Sequence, residues 1–488
     1  MATSRSKGWD FATPAGERSS LGRLSAPKVA FGLTFAFVFV VALLEGTKPF
    51  YYDSGEYWAL GSTFIKHGHF SLLNFYSSIR GYLLPLIYRG LHGLAVALGW
   101  GDSLSVKLFN SLLLSLIGFV LAPRLAELAW RDRPWGIQRR LLLMALLLVF
   151  WSGYLDFPLS DLPALTLALV AVVGVSRPYA AGWMLLAGAA TAAAIVIRPS
   201  YELLAPTVAV LAIWGWIEQR DQAAHGVRRR ALCLGLLLVG FLTIALPQSL
   251  AAHKHQDTWS PVPGAASGLE SAQFTEGLLL QLYGTYVGPD KTPTTNTPSM
   301  IYGDVAGGKL LQEEKETPGV PKGTELAIGG KREYLELIVK HPLGMAGVLG
   351  RHLINALDVR YSTPYTERLR TDWWLRVGGF LLVFLGLVRI LWPKARRSLG
   401  PARWRYLVTM LICSLTTLPT AVETRYLLPV FVLSYLLVLA PGWPNPIATD
   451  AVGWRRYRTT GIILVALIAF ALLVWHVTSI ASAHLVLA

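Results

Sequence analysis

Apolar runs long enough to cross about 30 Å of hydrocarbon recur along this chain, from residue 29 to residue 478. Backbone N–H and C=O groups find no water inside a bilayer, so each run must close its hydrogen bonds within itself as a helix. The expected fold is therefore an all-α polytopic membrane protein without a separate soluble domain. The runs fall at 29–44, 104–122, 141–155, 161–175, 183–197, 201–217, 231–249, 373–392, 405–421, 426–442 and 459–478, about eleven spans. Composition agrees: with 53% hydrophobic and 15% charged residues, the 488-residue chain does not read as two or three soluble domains.

A formal charge of +15 raises the question of nucleic acid, and the placement of the charge answers it. The basic residues sit in short clusters between apolar runs, the pattern of cytoplasmic loops, whose natural partners are anionic lipid headgroups. No nucleic-acid partner is expected. With the polar N-terminus inside, the loops 124–140, 176–182, 218–230, 393–405 and 444–458 all become cytoplasmic, and every strongly basic loop falls on one side. Arg18, Arg23 and Lys28 precede the first run and no small-residue cleavage site follows it, which reads as an uncleaved signal anchor. Cys233 and Cys413 both lie in apolar runs, so no structural disulfide is expected.

The segment 81–100 is apolar, but counting it as a span would turn the Arg124–Arg140 cluster outward. With Pro85, Arg89 and His92 inside it, it reads instead as an amphipathic helix at the outer interface. The organisation is then a cytoplasmic tail at 1–28, a transmembrane module at 29–442 with outer loops at 45–103 and 253–374, and a cytoplasmic loop with a last span at 443–488.

Four motifs fall on the outer side. In Tyr51-Tyr52-Asp53-Ser54-Gly55-Glu56-Tyr57, helical spacing puts Asp53 and Glu56 on one face; the same spacing also makes a capping box, with Asp53 as N-cap. Asp161 in Ser160-Asp161-Leu162-Pro163 stands at a helix start, where a lone Asp is usually an N-cap. In Arg198-Pro199-Ser200-Tyr201-Glu202 an outward arginine opposes the positive-inside bias and needs a partner, either Glu202 or an anionic substrate. Glu423-Thr424-Arg425-Tyr426 places two charges at the end of a span, which points to a pair or a cavity. His253, His255 and Asp257 are metal-ligating types at close spacing, but no third His or Cys is placed beside them and the better reading is a hydrated loop start. Carboxylates and arginines from distant points on one membrane face suit a substrate with a hydroxyl to deprotonate and a phosphate to hold.

Those motifs carry a resemblance to the C-type (GT-C) glycosyltransferases, the multi-spanning enzymes that use polyprenyl-phosphate sugars, over about residues 25–445. The matching residues are Tyr52-Asp53-Ser54-Gly55-Glu56-Tyr57, Ser160-Asp161-Leu162-Pro163, Arg198-Pro199 and Glu423-Thr424-Arg425-Tyr426-Leu427-Leu428-Pro429. The resemblance implies an inverting transferase similar to those that attach aminoarabinose to lipid A or mannose to proteins, working in the plasma membrane on its periplasmic or exterior face. It implies Asp53 as general base, Arg198 and Arg425 on the donor phosphate, Glu423 fixing Arg425, and Glu56, Tyr57, Asp161, Tyr201 and Tyr426 around the substrate. The implied partners are a polyprenyl-phosphate sugar donor and a lipid-linked or cell-envelope glycan acceptor. No cofactor is required by the resemblance; a divalent metal assists some members, and His253 and His255 do not decide the matter. The rival classes are a transporter or flippase for a lipid-linked or anionic substrate and a non-catalytic scaffold.

Overall fold

The structure is a computed structural model that describes residues 27–130, 134–177, 179–218, 226–264, 268–283, 294–295, 300–303, 310–311, 328–366, 372–391, 404–420, 422–440, 467–472 and 474–475. The tail at 1–26, the basic loop at 444–458, and most of the last expected span and of the outer loop between 284 and 327 lie outside the described residues.

Helices dominate, and the only sheets among the described residues are three two-stranded pairs. Among the described residues five helices are long and apolar enough to cross a membrane: Asp102–Ala129, Ile137–Asp156, Pro199–Glu218, Val227–Gln256 and Trp373–Leu391. Six shorter apolar helices accompany them: Lys28–Leu44, Leu83–Leu98, Asp161–Val175, Ala181–Ile197, Trp404–Leu415 and Thr424–Leu439. At 1.5 Å per residue these shorter helices fall below the thickness of the hydrocarbon core, so length alone does not carry them across. The Leu83–Leu98 helix occupies the segment expected at 81–100 and packs against Tyr52–Leu60 and the start of Asp102–Ala129.

The centre includes the Asp161–Val175 helix. Every residue of Asp161–Val175 is buried except Leu167 and Val170, as befits a helix apolar on all sides. The periphery has the opposite character: Leu232, Leu238 and Val239 on the Val227–Gln256 helix are 57%, 58% and 50% exposed. An apolar face of that extent is incompatible with water, and lipid is the solvent that fits it. The chain is a membrane-embedded all-α protein.

Close helix contacts depend on glycine. A Cβ on Gly188 would stand 1.9 Å from the Leu237 carbonyl oxygen, and one on Gly240 would stand 2.0 Å from that of Leu185, so these two glycines set the approach of Ala181–Ile197 to Val227–Gln256. Buried charge fixes the connections at one end. Asp156, wholly buried, takes Lys107 at 2.8 Å and Lys48 at 2.7 Å. Lys107 also donates to the carbonyls of Ala42 and Gly46 at 2.5 Å. Asn110 donates to the carbonyls of Tyr154, Leu155 and Phe157. One turn of the Asp102–Ala129 helix therefore anchors both the segment leading to Asp53 and the segment leading to Asp161.

Candidate functional site

The Tyr52–Leu60 helix begins at an N-cap, Tyr51, whose side chain makes no capping bond. The capping-box expectation for Asp53 and Glu56 is therefore corrected: Asp53 lies inside the helix and its carboxylate points to arginines. Arg80 Nη2 reaches Asp53 Oδ1 at 2.7 Å, and Arg425 Nη2 reaches Oδ2 at 2.7 Å. Arg425 lies 372 residues from Asp53 in the chain. Burial pushes the Asp53 carboxyl up, but the Arg425 and Arg80 charges outweigh it and hold it below the usual aspartate value. Asp53 is thus ionised at neutral pH.

Arg80 binds the whole acidic face. Its Nη2 also meets Glu56 Oε2 at 3.3 Å, its Nη1 donates to the Tyr57 hydroxyl at 3.3 Å, and its guanidinium lies 4.8 Å from the Tyr57 ring centroid. Burial works against its charge, and Tyr57, Asp53 and Glu56 overcome that and raise its pKa. Arg80 lies outside the sequence motifs, although it shares the signal that singles out Arg198, an arginine in a segment expected opposite the basic loops.

Arg425 pairs through Nε with Glu423, whose other oxygen accepts from the Tyr426 hydroxyl at 3.2 Å. Tyr426 joins this unit to the next: its ring centroid is 5.5 Å from the Arg425 guanidinium and 4.5 Å from that of Arg198. Arg198 pairs with Asp161, which corrects two expectations. Asp161 is the first residue of its helix with Ser160 as N-cap, so it is not itself the cap, and Glu202 is bound by Lys331 at 3.0 Å rather than by Arg198. The second carboxylate oxygen of Asp161 is buried without a hydrogen-bond partner among the described residues. Tyr201 is buried in the core at 3% exposure.

A wall that the sequence reading missed comes from residues 357–366. Its Tyr365 hydroxyl accepts from the Ser54 N–H at 3.3 Å, and the Tyr365 ring packs on Phe157, Tyr51 and Tyr52. The loop is braced where Asp358 takes Arg360 at 3.0 Å and Arg376 at 2.9 Å, and where Thr424 donates to the Asp358 carbonyl. Tyr52 adopts a φ of +45°, a left-handed conformation uncommon for a non-glycine residue, immediately before Asp53.

His253 and His255 stand apart from this cluster. His253 stacks on Trp259 at 4.2 Å and His255 contacts the Leu73 carbonyl at 3.0 Å. Among the described residues no three His, Cys, Asp or Glu side chains are grouped to hold a metal. Within the cluster each oxygen of Asp53 is taken by an arginine, and Asp161 and Glu423 each hold one as well, so a divalent cation would have to displace guanidinium groups.

Asp53, Glu56, Tyr57, Asp161, Arg198, Glu423, Arg425 and Tyr426 thus converge with Arg80 in one charged cluster at the end of the helical core. Four carboxylates there face three guanidiniums, leaving one net negative charge. Comparison of the chain with protein-family models, with curated proteins and with solved structures finds no match.

Proposed function

We propose that this protein is an inverting glycosyltransferase that moves a sugar from a polyprenyl-phosphate donor to a hydroxyl of a lipid-linked or cell-envelope glycan. In this reading the chain crosses the plasma membrane about eleven times with its N-terminus in the cytoplasm, and the cluster faces the exterior or periplasm. The observation that carries the reading is the joint placement of an ionised carboxylate, Asp53, and two guanidiniums, Arg80 and Arg425, beside a membrane-embedded helical core. A base and a phosphate grip in one place are what this transfer needs.

Asp53 takes the proton of the acceptor hydroxyl, the alkoxide oxygen attacks the anomeric carbon, and the carbon–oxygen bond to phosphate breaks. Polyprenyl phosphate leaves with the bond's electron pair, and Arg80 and Arg425 offset the charge that grows on it. The single displacement inverts the anomeric centre. Arg198, locked to Asp161 and under Tyr426, adds positive potential behind Arg425.

The test is release of polyprenyl phosphate from a polyprenyl-phosphate sugar in proteoliposomes supplied with envelope glycolipids. Positioned general bases contribute about 10²- to 10⁴-fold, so Asp53→Asn is expected to lose rate in that range while eluting as a folded protein. Wild-type turnover in that variant removes Asp53 from the reaction. Movement of intact donor across the bilayer without sugar release favours a flippase instead.

A further inference from the structure

A general base must meet the acceptor hydroxyl, and in this structure both oxygens of Asp53 already face arginine. Oδ1 is held by Arg80 and Oδ2 by Arg425, each at 2.7 Å. The same two guanidiniums are the cations that a donor phosphate requires. A carboxylate bridging two arginines through its two oxygens presents the same face that two phosphate oxygens would present.

We propose that Asp53 is an internal stand-in for the donor phosphate: it occupies Arg80 and Arg425 in the unloaded protein, and the arriving phosphate takes both over and frees the carboxylate for the acceptor. The inference rests on reading the site as a polyprenyl-phosphate sugar transferase. Its consequence is an order of events in which the base becomes available only after the donor is in place.

Three features of the cluster support the exchange. Each arginine keeps a second acid when Asp53 lets go, Glu56 for Arg80 and Glu423 for Arg425, so neither guanidinium is left bare. Arg80 Nε is buried without a hydrogen-bond partner among the described residues, a donor left over for an incoming oxygen. The cluster already carries one more carboxylate than guanidinium, so a phosphate gains little unless a carboxylate gives way.

The experiment measures binding of farnesyl phosphate, inorganic phosphate and farnesol to the purified full-length protein and its variants in detergent. If Asp53 competes with the ligand, Asp53→Asn binds farnesyl phosphate about tenfold or more tightly than wild type, Asp53→Glu binds it as wild type does, and Arg80→Ala with Arg425→Ala loses about tenfold or more. The same tightening for inorganic phosphate assigns the effect to the phosphate group alone; tightening for farnesyl phosphate only assigns it to the lipid headgroup. Equal or weaker binding by Asp53→Asn, with the arginine variant still impaired, overturns the stand-in and leaves the transferase reading intact. Tightening toward farnesol also overturns it, because the change then does not lie in recognition of the phosphate. Absence of farnesyl phosphate binding by every form overturns both.

Discussion

Asp53 and Asp161 are both acids held by arginine, and their surroundings separate their roles. The Asp53 side chain is 31% exposed and its two arginines have other acids in reach. The Asp161 side chain is 1% exposed and is the carboxylate that holds Arg198, itself 10% exposed. Removing one partner of a buried pair strands the other charge, at a cost of about 3–5 kcal/mol. Asp161→Asn is therefore expected to lower thermal stability strongly in a detergent melt, whereas Asp53→Asn stays close to wild type. Equal melting of Asp161→Asn and wild type contradicts a structural role for the pair. At this scale the sequence offered Asp53 and Asp161 as caps and gave neither a partner, while the neighbouring Glu423 and Arg425 pair as their adjacency suggested. Capping geometry is local and was visible as a pattern, but the ion pairs that displace it join Asp53 to Arg425 and Asp161 to Arg198, separations of 372 and 37 residues that no window spans.

Arg80 depends on how one short segment is held between helices. Gln256 donates to the Ser77 carbonyl at 2.9 Å, the Ser77 hydroxyl accepts from the Arg80 N–H at 3.0 Å, and Gln248 accepts from the Tyr82 N–H at 3.0 Å. Both glutamines come from the Val227–Gln256 helix. On the other side Gly81 lies so close to the Ala181–Ile197 helix that an added Cβ would stand 2.0 Å from the Val196 carbonyl. Gly81→Ala must push the segment off that helix, an overpacking of about 1–3 kcal/mol, and carry Arg80 with it. The expected result is weaker farnesyl phosphate binding with the helical circular dichroism retained; wild-type affinity contradicts this placement of Arg80. The Asp161–Val175 helix was legible to the residue because a helix apolar on every side announces itself by composition. The Val227–Gln256 helix runs beyond the expected 231–249 at both ends, where polar residues continue the helix without continuing the hydropathy. Arg80 escaped notice because no acid adjoins it in sequence, and its partners meet it only after the loop folds back.

For the molecule as a whole, the apolar runs were enough to place the chain in a membrane, and exposed leucines and valines on the outer helices agree. Hydropathy does not determine the number of crossings, because helices such as Asp161–Val175 and Trp404–Leu415 are shorter than the hydrocarbon they are expected to span. What the fold adds is convergence. Segments beginning at Tyr52, Ser77, Ser160, Arg198 and Glu423 bring their charges to one place, and the buried Lys107–Asp156 pair anchors those that carry Asp53 and Asp161. The central claim, that this place grips a polyprenyl phosphate, is tested most directly by mass spectrometry of the lipid that co-purifies with the protein from its native membrane. The expected result is polyprenyl phosphate or its sugar ester with wild type and its loss with Arg80→Ala plus Arg425→Ala. Equal amounts of that lipid in both preparations, or none in wild type, contradict the claim.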